Sequence, residues 1–467
     1  KIGIVRGDRR RTAVFEDTLE PNSPVDFLEY NFDAAPLMDI PGDWNGRDPQ
    51  LTWFEGLVWF RKVINLDEKP TQRTFLHFGA ANYKALVHVN GRKAGEHEGG
   101  FTPFAYDVTD LLKEGRNSIV VGVDSHHGSA SVPTPITDWK NYGGLTRPVH
   151  LVSVPDVYVH DYFLRLCPNN QLLATVRLGG DDITNKNIRI EIPEINFSYK
   201  GKADDTGVAY FEMPAPEGLQ RWSPNQPKLY DVIVSTRENK VTDRIGFRFI
   251  NVNGSEILLN GEPIFLRGIS MHEETLGEPP SRAFDEASAR ALLGIAKNDL
   301  GANFVRLAHY PHAEVMTRVA DEMGLLVWSE IPVYWDVDFS NPETLALAKR
   351  MQEENIIRDR NRASIIFWSV ANETPQTEER LAFLDKVIDH ARELDGTRLV
   401  TAALHNVRGE GGVYIVDDPL AKLIDVVAVN TYQGWYGGAP LSRVPNNEWQ
   451  NPSGKPFLFS EFGAGAL

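Results

Sequence analysis

One cysteine, Cys167, in 467 residues leaves no internal disulfide framework and no cysteine-based metal cluster. Basic residues are also scarce: 48 Lys plus Arg stand against 64 Asp plus Glu, a formal charge of −16. Such a balance repels phosphate backbones and argues against a dedicated nucleic-acid protein. No run of about 18 or more apolar residues occurs, so no membrane span is expected. The chain also lacks an HExxH zinc motif. What remains, 42% hydrophobic and 24% charged residues, is an ordinary globular balance. At roughly 100–200 residues per domain, the length suggests about three domains. The chain opens KIGIVRGDRR without an initiator Met. A removed leader or tag is one reading, and the compartment stays open between cytoplasm and periplasm or exterior.

Residues 1–154 read as an antiparallel jelly roll or sandwich. Short β-branched and aromatic runs (LVWFRKVINL, RTFLHFG, KALVHVNG, NSIVVGVD, VHLVSV) recur between turn signals, with Asn90-Gly91 suited to a tight turn. Trp44, Trp53 and Trp59 are expected in its core. Residues 155–250 repeat the pattern (YVHDYFLRL, LLATVRLG, NIRIEI, VAYFEM, LYDVIVST, RIGFRFI) and suit an immunoglobulin-like β-sandwich. No chemical constellation gathers there.

From 251 to 467 the rhythm changes to strands alternating with helices, the signature of βα units. The strand candidates are PIFLRGIS, NFVRLA, LLVWSEI, SIIFWSV, RLVTAAL, DVVAVN and PFLFSE. Helices are expected over Ala313–Met323, ending at Gly324, and Arg380–Leu394. Seven strands in succession point to a (β/α)₈ TIM barrel whose eighth unit is missing from the sequence. A doubly wound sheet is the alternative, but no GxGxxG follows these strands.

In such a barrel the chemistry sits at the C-terminal strand ends. Those ends carry His272, Glu273 and Glu274; Arg306 and His309; Glu330; Asn372 and Glu373; His405 and Asn406; Asn430 and Tyr432; and Glu461. Glycosidic cleavage needs two carboxylates in different roles. Glu373, after an apolar strand, suits the acid, and Glu461 would face it; Glu330 is a third candidate that position alone does not exclude. Arg306 reads as a buried partner of a barrel carboxylate. His272, His309 and His312 near Glu273 invite a metal, but hydrogen-bonding histidines are the better account.

DRNRASIIFWSVANE (Asp359 to Glu373) resembles the acid/base signature of glycoside hydrolase family 2. NFVRLAHYP (Asn303 to Pro311) resembles its other signature, and SEFGA (Ser460 to Ala464) its nucleophile segment. FEGLVWFRK, HEGGFTPFAYDVTDLL and NYGGLTRPV look like the family's sugar-binding jelly roll, and LLNGEPIFLRGISMHEE like its entry into the barrel. The resemblance implies a retaining exo-β-glycosidase with Glu373 as acid/base and Glu461 as nucleophile. It implies that Asn372 binds the sugar 2-hydroxyl, that Tyr432 orients Glu461, and that His309 and His272 contact the sugar or hold the carboxylates. Asp138, in PITDWKNYGG, matches a carboxylate reaching in from the jelly roll. Asn430 and Trp435 fall in NTYQGWY, which resembles the β-glucuronidase branch, while GWYGG also occurs in β-galactosidases. The expected partner is a carbohydrate, with no cofactor and no metal; self-association into a homo-oligomer stays open. The family's barrel continues past the present sequence, where β-glucuronidases carry an Asn-x-Lys motif for the substrate carboxylate. Since neither Arg306, Arg408 nor Lys422 stands out as a carboxylate receptor, a β-galactosidase is expected, with a β-glucuronidase as the alternative. A carbohydrate-binding protein without catalysis is the reading from another class.

Overall fold

Asn90 and Gly91 both adopt positive φ, 51° and 77°, which is what a two-residue hairpin turn matched to strand twist requires. They join Lys84–Val89 to Arg92–Glu98. In the computed structural model, which describes residues 2–4, 14, 17, 31–282, 285–405, 407–408, 413–432, 435 and 441–463, this hairpin belongs to a five-stranded sheet. It faces a three-stranded sheet of Val149–Val154, Arg73–Phe78 and Phe104–Asp107. Trp44, Val58, Phe60, Leu76, Phe78 and Val121 fill the space between the sheets, and Trp59 is also buried. Trp53 departs from expectation: it is 85% exposed, with the Lys140 ammonium 5.3 Å from its ring centroid. Its place after the short turn Pro49–Leu51 takes it out of strand alternation and so out of the core.

The second domain packs three strands (Val157–Leu166, Gln171–Gly180, Val208–Pro214) on four (Phe197–Lys202, Asn187–Ile192, Tyr230–Ser235, Lys240–Ile245). Phe197–Lys202 had no counterpart among the expected strands, because its alternation is broken by lysines and glycine. The last strand ends at Ile245, short of the expected RIGFRFI run. There the backbone turns toward the barrel, where Arg248 Nε donates to the Ala363 carbonyl, 2.9 Å.

The barrel strands are β1 (Gly268–Met271), β2 (Phe304–Leu307), β3 (Leu326–Glu330), β4 (Ile365–Asn372), β5 (Leu399–His405), β6 (Val426–Asn430) and β7 (Phe457–Glu461), parallel and in sequence order. The ring nearly closes: Ser270 Oγ on β1 donates to the Ser460 carbonyl on β7, 3.3 Å. Helix α1 (Glu286–Gly294) follows β1, α2 (Glu314–Met323) follows β2, α3 (Pro342–Asp359) follows β3 and α4 (Glu378–Leu394) follows β4. Gly324 stops α2 in the left-handed conformation, φ 70°, as a glycine after a helix does without strain. Thr377 caps α4 and starts it two residues before the expected Arg380. Val387, Ile388 and Ala391 press its apolar face onto the barrel. Among the described residues no helix is long and apolar enough to cross a membrane.

Candidate active site

Strands β2, β3, β4, β6 and β7 deliver their polar ends to one mouth, and Arg306 organises it. This guanidinium is 1% exposed. It donates from Nη2 to both Glu330 oxygens at 3.0 Å and to Asn372 Oδ1 at 2.8 Å, and from Nη1 to Glu461 Oε1. Burial alone would raise the Glu330 carboxyl, but Arg306, and then His309, carry it down to about 2. Trp328 Nε1 (2.7 Å) and Ser369 Oγ (3.0 Å) also donate to Glu330. Glu330, the third candidate carboxylate, is thus enclosed by donors and holds Arg306 and His309.

Glu461 and Glu373 are held differently. Tyr432 donates to Glu461 Oε2 opposite the Arg306 contact; burial, and then this carboxylate, raise the Tyr432 phenol. His309 Nε2 stands 3.7 Å from Glu461 Oε1. Glu373 accepts from Asn430 Nδ2 at 2.9 Å and from Trp335 Nε1 at 3.0 Å. Its backbone is left-handed, φ 51°, a costly conformation for a non-glycine residue that clusters at functional sites. Asn430 ties the two sides together: besides Glu373 it donates to Asn372 Oδ1 (3.2 Å), and it accepts from Ser460 Oγ (2.7 Å), next to Glu461. With Asn372 Oδ1 committed to Arg306 and Asn430, its amide nitrogen is left for a ligand.

The jelly roll supplies the roof. A carboxylate oxygen of Asp138 and a ring nitrogen each of His272 and His309 lie within 4.8 Å of one another. Burial, then the nearby Asp138 carboxylate, raise the Tyr334 phenol. Trp139 packs against His272, His309, Tyr310 and Tyr334, with centroids 4.8–5.9 Å away. His312 and Glu273, grouped with these histidines in the sequence, point elsewhere: His312 Nε2 meets the Ala308 carbonyl, and Glu273 pairs with Arg147.

The structure therefore gathers Asp138, His272, His309, Asn372, Glu373, Asn430, Tyr432 and Glu461 in one mouth. Trp435, 46% exposed, lies edge-on to Tyr432, with centroids 5.8 Å apart. Lys422 closes the turn Pro419–Lys422, ahead of the N-terminal end of β6, opposite the mouth. Asn406, most of GWYGG, and the side chains of His405 and Arg408 lie outside the described residues. Trp139, Tyr334 and Trp335 were missed. The Tyr-Trp pair just after the third strand, and the Trp next to Asp138, were the available signals.

Three family models match in succession: the glycosyl hydrolases family 2 sugar binding domain at residues 23–155, glycosyl hydrolases family 2 at 157–248, and the family 2 TIM barrel domain at 250–467. The chain belongs to glycoside hydrolase family 2. It is 28% identical over 457 residues to a putative β-glucuronidase of Formosa agariphila, covering 91% of this chain and 53% of that protein. It is 30% identical over 433 residues to a β-galactosidase of Thermoanaerobacter pseudethanolicus, covering 87% of this chain and 55% of that protein. The chain thus spans about half the length of these two relatives. A crystal structure of a family 2 β-galacturonidase from Eisenbergiella tayi superposes with a TM-score of 0.80 at 25% identity, covering 92% of this chain and 77% of that one.

Proposed function

We propose that the chain carries the active centre of a retaining exo-β-glycosidase acting on β-glucuronides. The observation that carries the reading is the pair Glu373 and Glu461, each with both oxygens held and joined through Asn430 and Ser460. Glu461, fixed by Arg306 and Tyr432, attacks the anomeric carbon while Glu373 gives its proton to the glycosidic oxygen and the aglycone leaves. Glu373 then takes a proton from water, whose oxygen displaces Glu461 and releases the sugar. The amide nitrogen of Asn372 meets the 2-hydroxyl, and Asp138, His272 and His309 bind the hydroxyls beyond it. Trp435 borders this pocket through Tyr432. A binding protein without catalysis has no use for two carboxylates so held.

The preference for a glucuronide reverses the order drawn from the sequence. β-Glucuronidase is the commoner name among the relatives, and the β-galacturonidase structure also takes its name from a uronic acid; the β-galactosidase keeps the neutral sugar in play. Arg306 is not offered as the carboxylate receptor, since Glu330, Glu461 and Asn372 already take its donors. The test is a panel of nitrophenyl β-glycosides with the full-length protein. Turnover of the glucuronide above the galactoside supports the reading, and turnover of the galactoside alone sinks it.

A further inference from the structure

Tyr310 lies behind the sugar pocket and belongs to none of the roles above. Its ring is clamped: Phe101 stacks on it with centroids 4.3 Å apart, and the Arg282 guanidinium sits 4.5 Å from its centroid. Its hydroxyl is 3.2 Å from His272 Nδ1 and accepts the Glu273 backbone N–H at 3.4 Å. Tyr310 is wholly buried, and a buried O–H left without an acceptor is costly. Among the described residues His272 Nδ1 is the acceptor in reach, so the phenol proton goes there. Burial, then His309 and His312, hold the His272 imidazolium down at about 3, leaving a neutral ring with one proton to place. That proton sits on Nε2. His309 is held differently: its Nδ1 faces Glu330 Oε1 at 2.8 Å and Arg306 Nη2 at 3.2 Å.

We infer that Tyr310, clamped by Arg282 and Phe101, is a positioning residue that fixes His272 as its Nε2–H tautomer, so that a His272 donor stands beside the Asp138 acceptor for neighbouring sugar hydroxyls. The inference rests on reading this pocket as a sugar site. A hydroxyl both gives and takes a hydrogen bond, so a donor beside an acceptor suits it. The same tautomer opposes a divalent cation at this triad, since a metal needs the lone pair on Nε2 that the proton occupies.

The first test needs no substrate and no Tyr310 variant. Two-bond ring correlations of ¹⁵N-histidine in the full-length protein, with His272 assigned by His272→Gln, should show the proton on Nε2; a proton on Nδ1 overturns the inference. The second is Tyr310→Phe. Its KM for the glycoside that turns over should rise about tenfold with kcat changed less, and the His272 signals should lose the single tautomer. Unchanged KM and an unchanged tautomer in a folded variant overturn it. Inactivity of the wild type on every glycoside would defeat the glycosidase reading while leaving the tautomer result standing, so the two failures are distinguishable.

Discussion

Two walls of the barrel mouth are built to different standards. On one, every residue of β3 and of β4 is buried; on the other, β1 and β7 contain no fully buried residue. The inner wall has a strand on each side and helices behind it, so Trp328, Phe367 and Trp368 sit in closed packing. On the outer wall Phe459 is 40% exposed and Phe265, just before β1, is 75% exposed. Glu373 ends the inner wall and Glu461 the outer one. The first is set by its own strand and by Asn430 and Trp335. The second is held by long side chains, Arg306 and Tyr432, reaching from other strands. Glu373 is thus held by two neutral donors, and Glu461 by a guanidinium and a phenol.

The largest expected effect removes the outer carboxylate. Glu461→Gln should cut kcat/KM by about 10⁴-fold or more, some 5.5 kcal/mol of barrel-mouth chemistry, and abolish trapping of a glycosyl-enzyme by mass spectrometry. Near wild-type turnover would reassign the nucleophile. Glu373→Ala should instead slow poor leaving groups by about 10²–10⁴-fold and activated aryl glycosides much less.

Next comes the link between the walls. Arg306→Met leaves Glu330 buried without its cation and should cost about 3–5 kcal/mol of stability, seen as a lower denaturation midpoint. A loss under about 1 kcal/mol would show that Trp328, Ser369 and His309 suffice for Glu330. Closed packing gives a parallel expectation: Trp328→Ala should cost about 3–5 kcal/mol.

Tyr432→Phe and Trp335→Phe each remove one donor from a carboxylate of the proposed catalytic pair, and each should lower kcat/KM about tenfold. Tyr432→Phe should act mainly on glycosylation, and Trp335→Phe mainly on substrates with poor leaving groups. A smaller term is set by pH. Glu330 has a folded value near 2 against an ordinary 4.5, so its contribution to stability is full above about pH 4.5 and drains as pH falls toward 2. Glu330→Gln should flatten that part of the stability curve; an unchanged acid limb would place the sensitivity elsewhere.

Domain order, strand sequence and the polar strand ends were legible in the chain because each rests on local rules. Period-2 and helical patterns locate elements, parallel βα units deliver their C-terminal ends to one face, and Arg306 was rightly read as a buried carboxylate partner. The same rules misplaced Trp53, since an aromatic between turns carries no mark of which way it faces, and they passed over Trp139, Tyr334 and Trp335. These three act across strands or across domains. Their partners, His272, Asp138 and Glu373, are 38 to 196 positions away in the chain, and no spacing rule connects them.

The sequence by itself determined which groups reach the mouth: two glutamates, two asparagines, two histidines and a tyrosine, each at the end of an apolar run. Tertiary structure decided what each does there. Glu330 and Glu461 are both glutamates closing strands, and strand position alone does not separate them. Only the fold encloses Glu330 among Arg306, His309, Trp328 and Ser369 while leaving Glu461 partly exposed. A carboxylate's role follows from the donors and solvent around it, and those are supplied by residues distant in the chain.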